Sequence, residues 1–328
     1  MSKIESNKIE AFGKCRYSKF MYGDLYDDDF IKWVDYIRNN ILKVDYKIVI
    51  NDINNIVNGE LYNKKNINKF YFDQIRFETY FNTDKFNIDE CISSLEIMRY
   101  IYNWCNHFIK CYPKKDLISD FYNFFRLSGI RTARLAGDYG CKNIDYILKK
   151  YNYNGIYYDP SAGWGSRMII AAKNNIEYIT TDPNNRLIRK LNMLAEDINR
   201  SKSFNYKLIN SGSEVYNEYI NNKVGLIFTS PPYDNLEMYN NGLLTFDDYS
   251  KFVDDSVDNF SKYIVNNGFI IINIDDRNYN KWFNSLSRYF NFICNESISF
   301  NVIRNRKTNY KPKKERIMVF RNMTKNDF

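Results

Sequence analysis

The fold can be inferred from residues 155–182, which read GIYYDPSAGWGSRMIIAAKNNIEYITTD. The apolar run GIYYD predicts a strand that ends in a turn containing glycine, and RMIIAAKNN has helical spacing. EYITTD is a second strand-like run, and it ends at Asp182. A strand, a helix and a second strand in this order form a right-handed βαβ crossover. The stretch therefore predicts an α/β fold with a parallel sheet.

The same pattern continues toward the C-terminus. Three further apolar runs end in small or acidic residues: NYKLINSGS, VGLIFTSPP and GFIIINIDD. Helical spacing is found in PNNRLIRKLNMLAEDINRS and TFDDYSKFVDDSVDNFSKYIVNN. The tail contains two more strand candidates, SISFNVI and ERIMVF, separated by a basic loop. We expect a mainly parallel sheet over residues 151–328, closed at one edge by a C-terminal antiparallel hairpin.

Residues 1–150 have a different character. Phe30, Trp33, Val34, Ile37 and Ile41 fall on one face of a predicted amphipathic helix. The segment CISSLEIMRYIYNWCNHFIKCY predicts one longer, more buried helix. This spacing predicts a mostly helical region over residues 1–150. Because no motif stands out in it, we expect the region to have an accessory role.

Composition excludes several classes of protein. Of the 328 residues, 44% are hydrophobic and 17% aromatic, too many for a disordered chain. No stretch approaches the roughly 18 consecutive apolar residues of a membrane-spanning helix. The N-terminus lacks the apolar segment of a secretory signal, so a cytoplasmic location is expected, or the host cytoplasm or nucleus for a viral protein.

Charge and cysteine content narrow the chemistry. Lys and Arg number 47 against 39 Asp and Glu, and the net charge of +8 slightly favours a polyanionic partner. The six cysteines form no CxxC pair, which disfavours a zinc knuckle or a redox dithiol. His107 is the single histidine, so metal sites and Ser-His-Asp chemistry have few ligands available. No metal is expected.

The first chemical motif is DPSAGWG, from Asp159 to Gly165. It follows a predicted strand and begins a helix, the place where an open α/β sheet binds ligands. Gly163 and Gly165 let the backbone approach a ligand closely. By itself the motif is equally compatible with a tight turn that binds nothing.

Asp182 ends the next strand, where a carboxylate can accept hydrogen bonds from ribose hydroxyls. Met168 stands where a GxGxxG loop would have its third glycine, which favours a nucleoside cofactor without a pyrophosphate. S-adenosylmethionine fits, with Asp159 facing its amino group and Asp182 its ribose.

The second motif is TSPPY, from Thr229 to Tyr233, directly after the strand VGLIF. Two consecutive prolines stiffen the turn and remove backbone donors, which leaves carbonyls for a ligand that donates hydrogen bonds. An exocyclic base amine is such a ligand, and an aromatic ring beside it can stack on an extruded base. The competing interpretation is a Pro-Pro turn with a packed tyrosine.

Together, DPSAGWG and TSPPY resemble the DNA amino-methyltransferases, over residues 150–322. The resemblance implies a class I, Rossmann-like methyltransferase fold and transfer of a methyl group from S-adenosylmethionine to an exocyclic amine in DNA. It also implies base flipping, in a setting of DNA methylation and restriction–modification. The implied cofactor residues are Asp159, Pro160, Ala162, Gly163, Gly165 and Asp182. The implied catalytic residues are Ser230, Pro231, Pro232 and Tyr233.

Two departures from the family pattern leave questions open. The third strand reads INSGSEV, so Ser211, Ser213 or Glu214 would take the place of an acidic residue near the adenine ring. The segment between the two motifs is too short for an ordinary recognition domain. Target recognition would therefore fall to residues 1–150 or to a partner subunit.

The resemblance also implies a mechanism of direct, in-line transfer. Ser230 and the Pro231 carbonyl would hold the amine while Tyr233 stacks on the base, with no covalent intermediate. The catalytic loop contains no cysteine, which argues against methylation at cytosine C5. The serine form of the loop slightly favours cytosine N4 over adenine N6. The alternatives are an RNA base amino-methyltransferase and a catalytically silent nucleic-acid-binding subunit. The basic segment RNRKTNYKPKKER, residues 304–316, suits phosphate contacts or a solvated loop equally.

Overall fold

The computed structural model describes residues 28–60, 62–81, 87–109, 138–151, 155–234, 237–238, 248–296 and 315–323. The chain divides into two compact units. The first comprises the described parts of Met1–Lys43, Asp73–Ala136 and Met238–Asn241. The second comprises those of Val44–Phe72, Gly137–Glu237 and Gly242–Phe328.

The second unit is built around a seven-stranded sheet. Its strands are β1 (Ile156–Asp159), β2 (Tyr178–Thr181), β3 (Tyr206–Ile209), β4 (Val224–Thr229), β5 (Ile264–Asp275), β6 (Asn291–Glu296) and β7 (Glu315–Arg321). They lie in the order β3-β2-β1-β4-β5-β7-β6. The first five strands are parallel to one another, whereas β7 is antiparallel to both β5 and β6. This order and these directions are those of the class I methyltransferase fold, so the predicted fold class is confirmed.

Helices connect the strands as the crossover rule requires. The connecting helices are α8 (Ser166–Lys173), α9 (Asn185–Ser201), α10 (Tyr249–Tyr263) and α11 (Tyr279–Leu286). Residues of α10 and α11 share one hydrophobic core with alternate residues of the central strands, such as Tyr158 and Ile227. A short 3₁₀ turn, Glu218–Ile220, precedes β4.

Three further helices belong to this unit although they precede the sheet in sequence. They are α2 (Tyr46–Val57), α3 (Lys65–Tyr71) and α7 (Cys141–Lys150). Helix α2 contacts both α8 and α9, and α7 contacts α8. The division predicted at residue 150 therefore does not coincide with the division into compact units, and an accessory role for residues 1–150 stays a prediction.

The first unit contains α1 (Asp28–Asn40), α4 (Asp73–Phe77), α5 (Ile88–Ser93) and α6 (Leu95–Ile109). The apolar residues predicted for the first helix, Phe30, Trp33, Val34 and Ile37, are buried in α1. The second predicted helix is interrupted, because Ser94 has extended backbone angles and separates α5 from α6. Two short strands, Tyr80–Phe81 and Glu237–Met238, complete the described elements.

At the C-terminus, the predicted strand ERIMVF corresponds to β7, which pairs antiparallel with both β5 and β6. The predicted strand SISFNVI and the basic loop that follows it lie outside the described residues. The observed partner of β7 is β6, which begins at Asn291 and ends where SISFNVI begins. Within the described ranges, none of the helices combines the length and the apolar composition needed to cross a membrane.

Candidate active site

The two motif loops meet at the carboxyl edge of the sheet. Strand β1 ends at Asp159 and strand β4 ends at Thr229, and the two strands are parallel neighbours. The Thr229 hydroxyl donates a hydrogen bond to Asp159 Oδ1 over 3.1 Å, which ties one loop to the other. The strand order reverses between β1 and β4, and in open α/β sheets such a switch point is where ligands bind.

The Asp159 carboxylate is completely buried and fully engaged by protein donors. Besides Thr229, its Oδ1 accepts the Ser161 N–H at 3.3 Å. Its Oδ2 accepts Arg167 Nε at 2.7 Å and the Tyr178 hydroxyl at 2.8 Å. In the described structure Asp159 therefore organises the loop, and its predicted contact with a cofactor amino group remains a prediction.

Arg167 supplies the charge that allows this carboxylate to be buried. It lies in the first turn of α8, is buried itself, and also donates to the Ser161 carbonyl. Burial opposes the guanidinium charge, but the neighbouring Asp159 outweighs burial and raises the pKa of Arg167 above its usual value. Arg167 therefore keeps its charge at every physiological pH and ties Asp159 to the Ser161 carbonyl.

The backbone of DPSAGWG is tied to the end of β2. The Ala162 N–H donates to the Thr181 carbonyl at 3.3 Å, and the Thr181 hydroxyl donates to the Pro160 carbonyl at 3.3 Å. Gly163 and Gly165 both have left-handed backbone angles, with φ of 56° and 76°. These angles turn the chain sharply from β1 into α8, and only glycine adopts them without strain.

Gly165 is required by packing as well as by its backbone angle. A Cβ atom at this position would stand 3.0 Å from Leu194 Cδ2 and 3.2 Å from Phe72 Cζ. We expect Gly165→Ala to lower the free energy of unfolding by about 1–3 kcal/mol, measured by urea denaturation. Gly140→Ala is the matched control, because its Cβ would meet only the Asn143 side chain at 3.8 Å. An equal loss in the two variants would contradict the packing explanation.

Asp182 follows β2 and is half-buried near the same loop. Its Oδ1 accepts the Asn184 N–H at 2.9 Å, the one hydrogen bond that the carboxylate makes among the described residues. Burial raises the pKa of Asp182 to about 7, and the charge of Asp159 adds to this effect, while Asn184 and Arg167 oppose it. An acceptor oxygen thus remains for a donor such as a ribose hydroxyl.

The second loop continues from β4 as predicted. Pro231 is buried, while Ser230, Pro232 and Tyr233 are half-buried. Ser230 Oγ lies 3.4 Å from Asn273 Nδ2 on the neighbouring strand β5. The Tyr233 ring packs against the hydrophobic core, and this contact holds the residue that is predicted to stack on the base.

Ser211, Ser213 and Glu214 follow β3 and are the candidates from the sequence for a contact near the adenine ring. Their contacts in the structure distinguish them. Ser213 is buried, and its hydroxyl is hydrogen-bonded to that of Ser256 at 2.8 Å, so this side chain has a structural role. Ser211 makes a local bond to the Gly212 carbonyl. The exposed Glu214 folds its carboxylate back against Gly212, so that a Cβ at this glycine would overlap the carboxylate oxygens. Of the three candidates, Glu214 is the one that offers a charged acceptor.

A buried polar cluster from the N-terminal half supports the first loop. Lys64 donates to the Ser166 hydroxyl at 2.8 Å and to the Trp164 carbonyl, and it pairs with Asp138 at 3.0 Å. Asn68 donates to the same Asp138 carboxylate at 2.8 Å. Burial raises the pKa of Asp138, but Lys64 and these donors outweigh burial and hold it below its usual value.

Several of these residues were not predicted from the sequence: Lys64, Asp138, Arg167, Tyr178, Thr229 and Asn273. For Arg167 a signal exists, since an arginine inside the apolar run SRMIIAAK suggests a buried ion pair. Thr229 begins the TSPPY motif, but a role was predicted only for the residues after it. For Lys64 and Asp138 the sequence contains no such signal.

A comparison with family models matches residues 224–328 to the N6_N4_Mtase family, described as DNA methylase. The matched segment includes the loop from Ser230 to Tyr233, and for this segment the resemblance to DNA amino-methyltransferases is confirmed. The DPSAGWG loop precedes the match. No curated protein matches the chain.

Solved structures similar to this chain include methyltransferases of several kinds. A tRNA (m1A58) methyltransferase from Aquifex aeolicus is 12% identical, with coverage of 58% of this chain and 72% of that chain and a TM-score of 0.41. A SAM-dependent O-methyltransferase from Thermotoga maritima is 10% identical, with coverage of 59% and 69% and a TM-score of 0.42. An rRNA methylase from Streptococcus thermophilus is 12% identical, with coverage of 56% and 95% and a TM-score of 0.40. None of these likenesses identifies a substrate of this chain.

Proposed function

We propose that this chain is a DNA methyltransferase that transfers a methyl group from S-adenosylmethionine directly to an exocyclic base amine. Cytosine N4 is slightly favoured over adenine N6. The observation that carries the proposal is the hydrogen bond between Thr229 and Asp159, since it joins the DPSAGWG and TSPPY loops at the switch point of the sheet. The match of residues 224–328 to DNA methylases supports the choice of substrate.

The residues at the sheet edge fit a nucleoside cofactor through Asp182. Its half-buried carboxylate matches the two hydroxyl donors of a ribose, and the turn at Gly163 and Gly165 brings the loop backbone to the same edge. Asp159 fits less directly, because its four donors already occupy both oxygens. When bound, S-adenosylmethionine supplies an electrophilic methyl group on a sulfonium ion.

The chain's own contribution is to orient the amine. An exocyclic amine is a poor nucleophile because its lone pair is delocalised into the ring. Ser230 Oγ and the Pro231 carbonyl would accept hydrogen bonds from the two N–H groups of the amine and draw its nitrogen toward tetrahedral geometry. Tyr233 would stack on the extruded base. Positioning and local electrostatics would then account for the acceleration, with no covalent intermediate.

Target recognition is proposed for the first compact unit or for a partner subunit. The segment Val44–Phe72 is a poor candidate for recognition, since it forms part of the sheet unit and Lys64 supports the first loop. The described part of the first unit consists mainly of helices α1, α4, α5 and α6.

The raised pKa of Asp182, about 7, predicts that cofactor binding depends on pH. The ionised carboxylate is the better acceptor for ribose hydroxyls, so affinity should fall as the pH drops from 8 to 6, by up to about tenfold. The measurement is calorimetric titration with S-adenosylmethionine at several pH values. Asp182→Asn is the control, because its amide does not titrate, and its affinity should not show this dependence. Parallel pH profiles for the two proteins would exclude the role of Asp182.

The stability of the free protein should change in the opposite direction. The folded pKa of Asp182 is raised above its unfolded value, so the folded state binds more protons between about pH 4 and pH 7. Its contribution is fully present below pH 4 and is lost as the pH rises through 7. Relative to Asp182→Asn, the wild type should therefore lose stability over this interval.

The decisive test of the function is transfer of a labelled methyl group. The full-length protein would be incubated with labelled S-adenosylmethionine and unmodified DNA or, separately, RNA, and each digest analysed by mass spectrometry. Labelled N4-methylcytosine or N6-methyladenine from the DNA supports the proposal and identifies the target atom. Label only in the RNA digest would replace DNA by RNA as the substrate. No transfer to diverse DNA despite cofactor binding would favour a silent subunit.

A further inference from the structure

The Pro232 carbonyl in the second loop is held by a buried chain of hydrogen bonds. The Tyr249 hydroxyl donates to the Pro232 carbonyl oxygen over 2.8 Å. Trp282 Nε1 donates in turn to the Tyr249 hydroxyl over 3.1 Å. Both side chains are almost completely buried. The loop is thus linked to the first turn of α10 and to the middle of α11.

The direction of this chain follows from the chemistry of its members. The indole N–H of Trp282 can only donate, so the Tyr249 oxygen must accept from it. The single proton of Tyr249 is then available for Pro232, whose carbonyl can only accept. Burial raises the pKa of Tyr249 well above its usual value, so the hydroxyl keeps its proton at all physiological pH values.

The two proline carbonyls consequently have different surroundings. Pro231 precedes another proline, which restricts its backbone to the extended or polyproline region. In polyproline geometry three residues complete a turn, so successive carbonyls point about 120° apart. The Pro232 carbonyl accepts the Tyr249 hydroxyl, whereas none of the described residues donates a hydrogen bond to the Pro231 carbonyl.

We propose that Tyr249, supported by Trp282, is a positioning residue that orients the Ser230–Tyr233 loop so that the Pro231 carbonyl faces the target amine. The inference rests on the proposed function and extends it, because it assigns different tasks to the two carbonyls. The Pro232 carbonyl fixes the loop, and the Pro231 carbonyl serves the substrate.

Packing makes this support rigid. The Trp282 ring stacks on Phe260 with 6.4 Å between ring centroids and contacts Phe252 edge-on at 6.2 Å. Next to Trp282, Lys281 pairs with Asp234 at 3.1 Å, directly after the loop. This second link is partly exposed and therefore weaker. We expect the buried link to dominate, so Lys281→Met should affect transfer less than Tyr249→Phe.

The test compares Tyr249→Phe with Tyr263→Phe. Both replacements keep a buried ring and remove one hydroxyl from the same helix. Tyr263, however, lies at the other end of α10, where its hydroxyl accepts the Asn217 N–H at 2.6 Å. Tyr249→Phe should lower kcat about tenfold and leave the Kd for S-adenosylmethionine and the KM for DNA within about twofold. Tyr263→Phe should lose a similar stability and keep the wild-type kcat.

A double-mutant cycle tests the connection to Trp282. If Trp282 acts on the loop through its hydrogen bond to Tyr249, Trp282→Phe should lower kcat less than Tyr249→Phe, and the effects of the two substitutions should not add. An equal fall of kcat in Tyr249→Phe and Tyr263→Phe would overturn the inference, as would an unchanged kcat in Tyr249→Phe.

Hydrogen–deuterium exchange gives a second readout that needs no activity. The Tyr233 and Asp234 amides should exchange faster in Tyr249→Phe than in the wild type, and at the wild-type rate in Tyr263→Phe. If the wild type transfers no methyl group, the proposed function fails, and exchange alone decides whether Tyr249 holds the loop. Equal exchange in both variants would overturn the positioning role.

Discussion

Replacing Arg167 by methionine is expected to destabilise the sheet unit by about 3–5 kcal/mol, because the buried Asp159 carboxylate would lose its cation. The Asp159 side chain has no exposed surface, so water cannot replace the guanidinium. Tyr178, Thr229 and the Ser161 N–H would still donate to it, but none of them carries a charge. The measurement is the free energy of unfolding in urea.

The matched control for Arg167→Met is Lys251→Met. Lys251 also pairs with an aspartate, Asp255 at 2.5 Å, but both side chains are largely exposed. An exposed pair of this kind contributes about 0–1 kcal/mol. Arg167→Lys should fall between the two, since it keeps a charge and loses the planar group that bonds Asp159 and Ser161 together. Comparable losses in Arg167→Met and Lys251→Met would contradict the importance of the buried pair.

Because Asp159 and Arg167 form a buried ion pair, we expect a substitution of Asp159 to affect stability as well as cofactor binding. From the sequence, Asp159→Ala is expected to reduce cofactor affinity selectively. In the structure this change would also leave Arg167 buried without an anion, so stability should fall as well. Combining Asp159→Ala with Arg167→Met should cost less than the sum of the single changes, because neither charge is then left unpaired.

Replacing Ser230 by alanine is expected to lower kcat by about 10²-fold while the affinity for S-adenosylmethionine stays within about twofold. The hydroxyl stands at the carboxyl end of β4, where the target amine would be held, and its loss removes one of two acceptors. Removing one well-placed hydrogen-bonding group from a catalytic site typically has an effect of this size. The transfer rate is best measured in a single turnover, so that product release does not mask it.

Ser261→Ala provides the matched control for Ser230. The Ser261 hydroxyl is also half-buried and donates to a carbonyl within its own helix, that of Asp258 at 2.7 Å. It should leave both kcat and cofactor affinity unchanged. If Ser230→Ala retained the wild-type kcat, the proposed contact between Ser230 and the amine would be wrong.

Local sequence patterns predicted most of the sheet. The runs ending at Asp159, Asp182 and Thr229 correspond to β1, β2 and β4, because a buried parallel strand is a short apolar run between turns. Helix α11 was missed, since its eight residues are short and contain several polar ones. The interruption at Ser94 was also missed, because the apolar spacing continues across it.

The sequence by itself determined the fold class and the two loops of the candidate site. Strand periodicity, glycine conformation and proline geometry are properties of neighbouring residues, and they can be inferred without knowing the rest of the molecule. Tertiary structure alone decided which residues surround those loops. Arg167 meets Asp159, Lys64 reaches Trp164, and Tyr249 holds Pro232. These partners are distant in sequence or lie across a turn. The sequence shows that a buried charged or polar side chain needs a partner, but the identity of that partner is decided only when the folded sheet brings the two residues together.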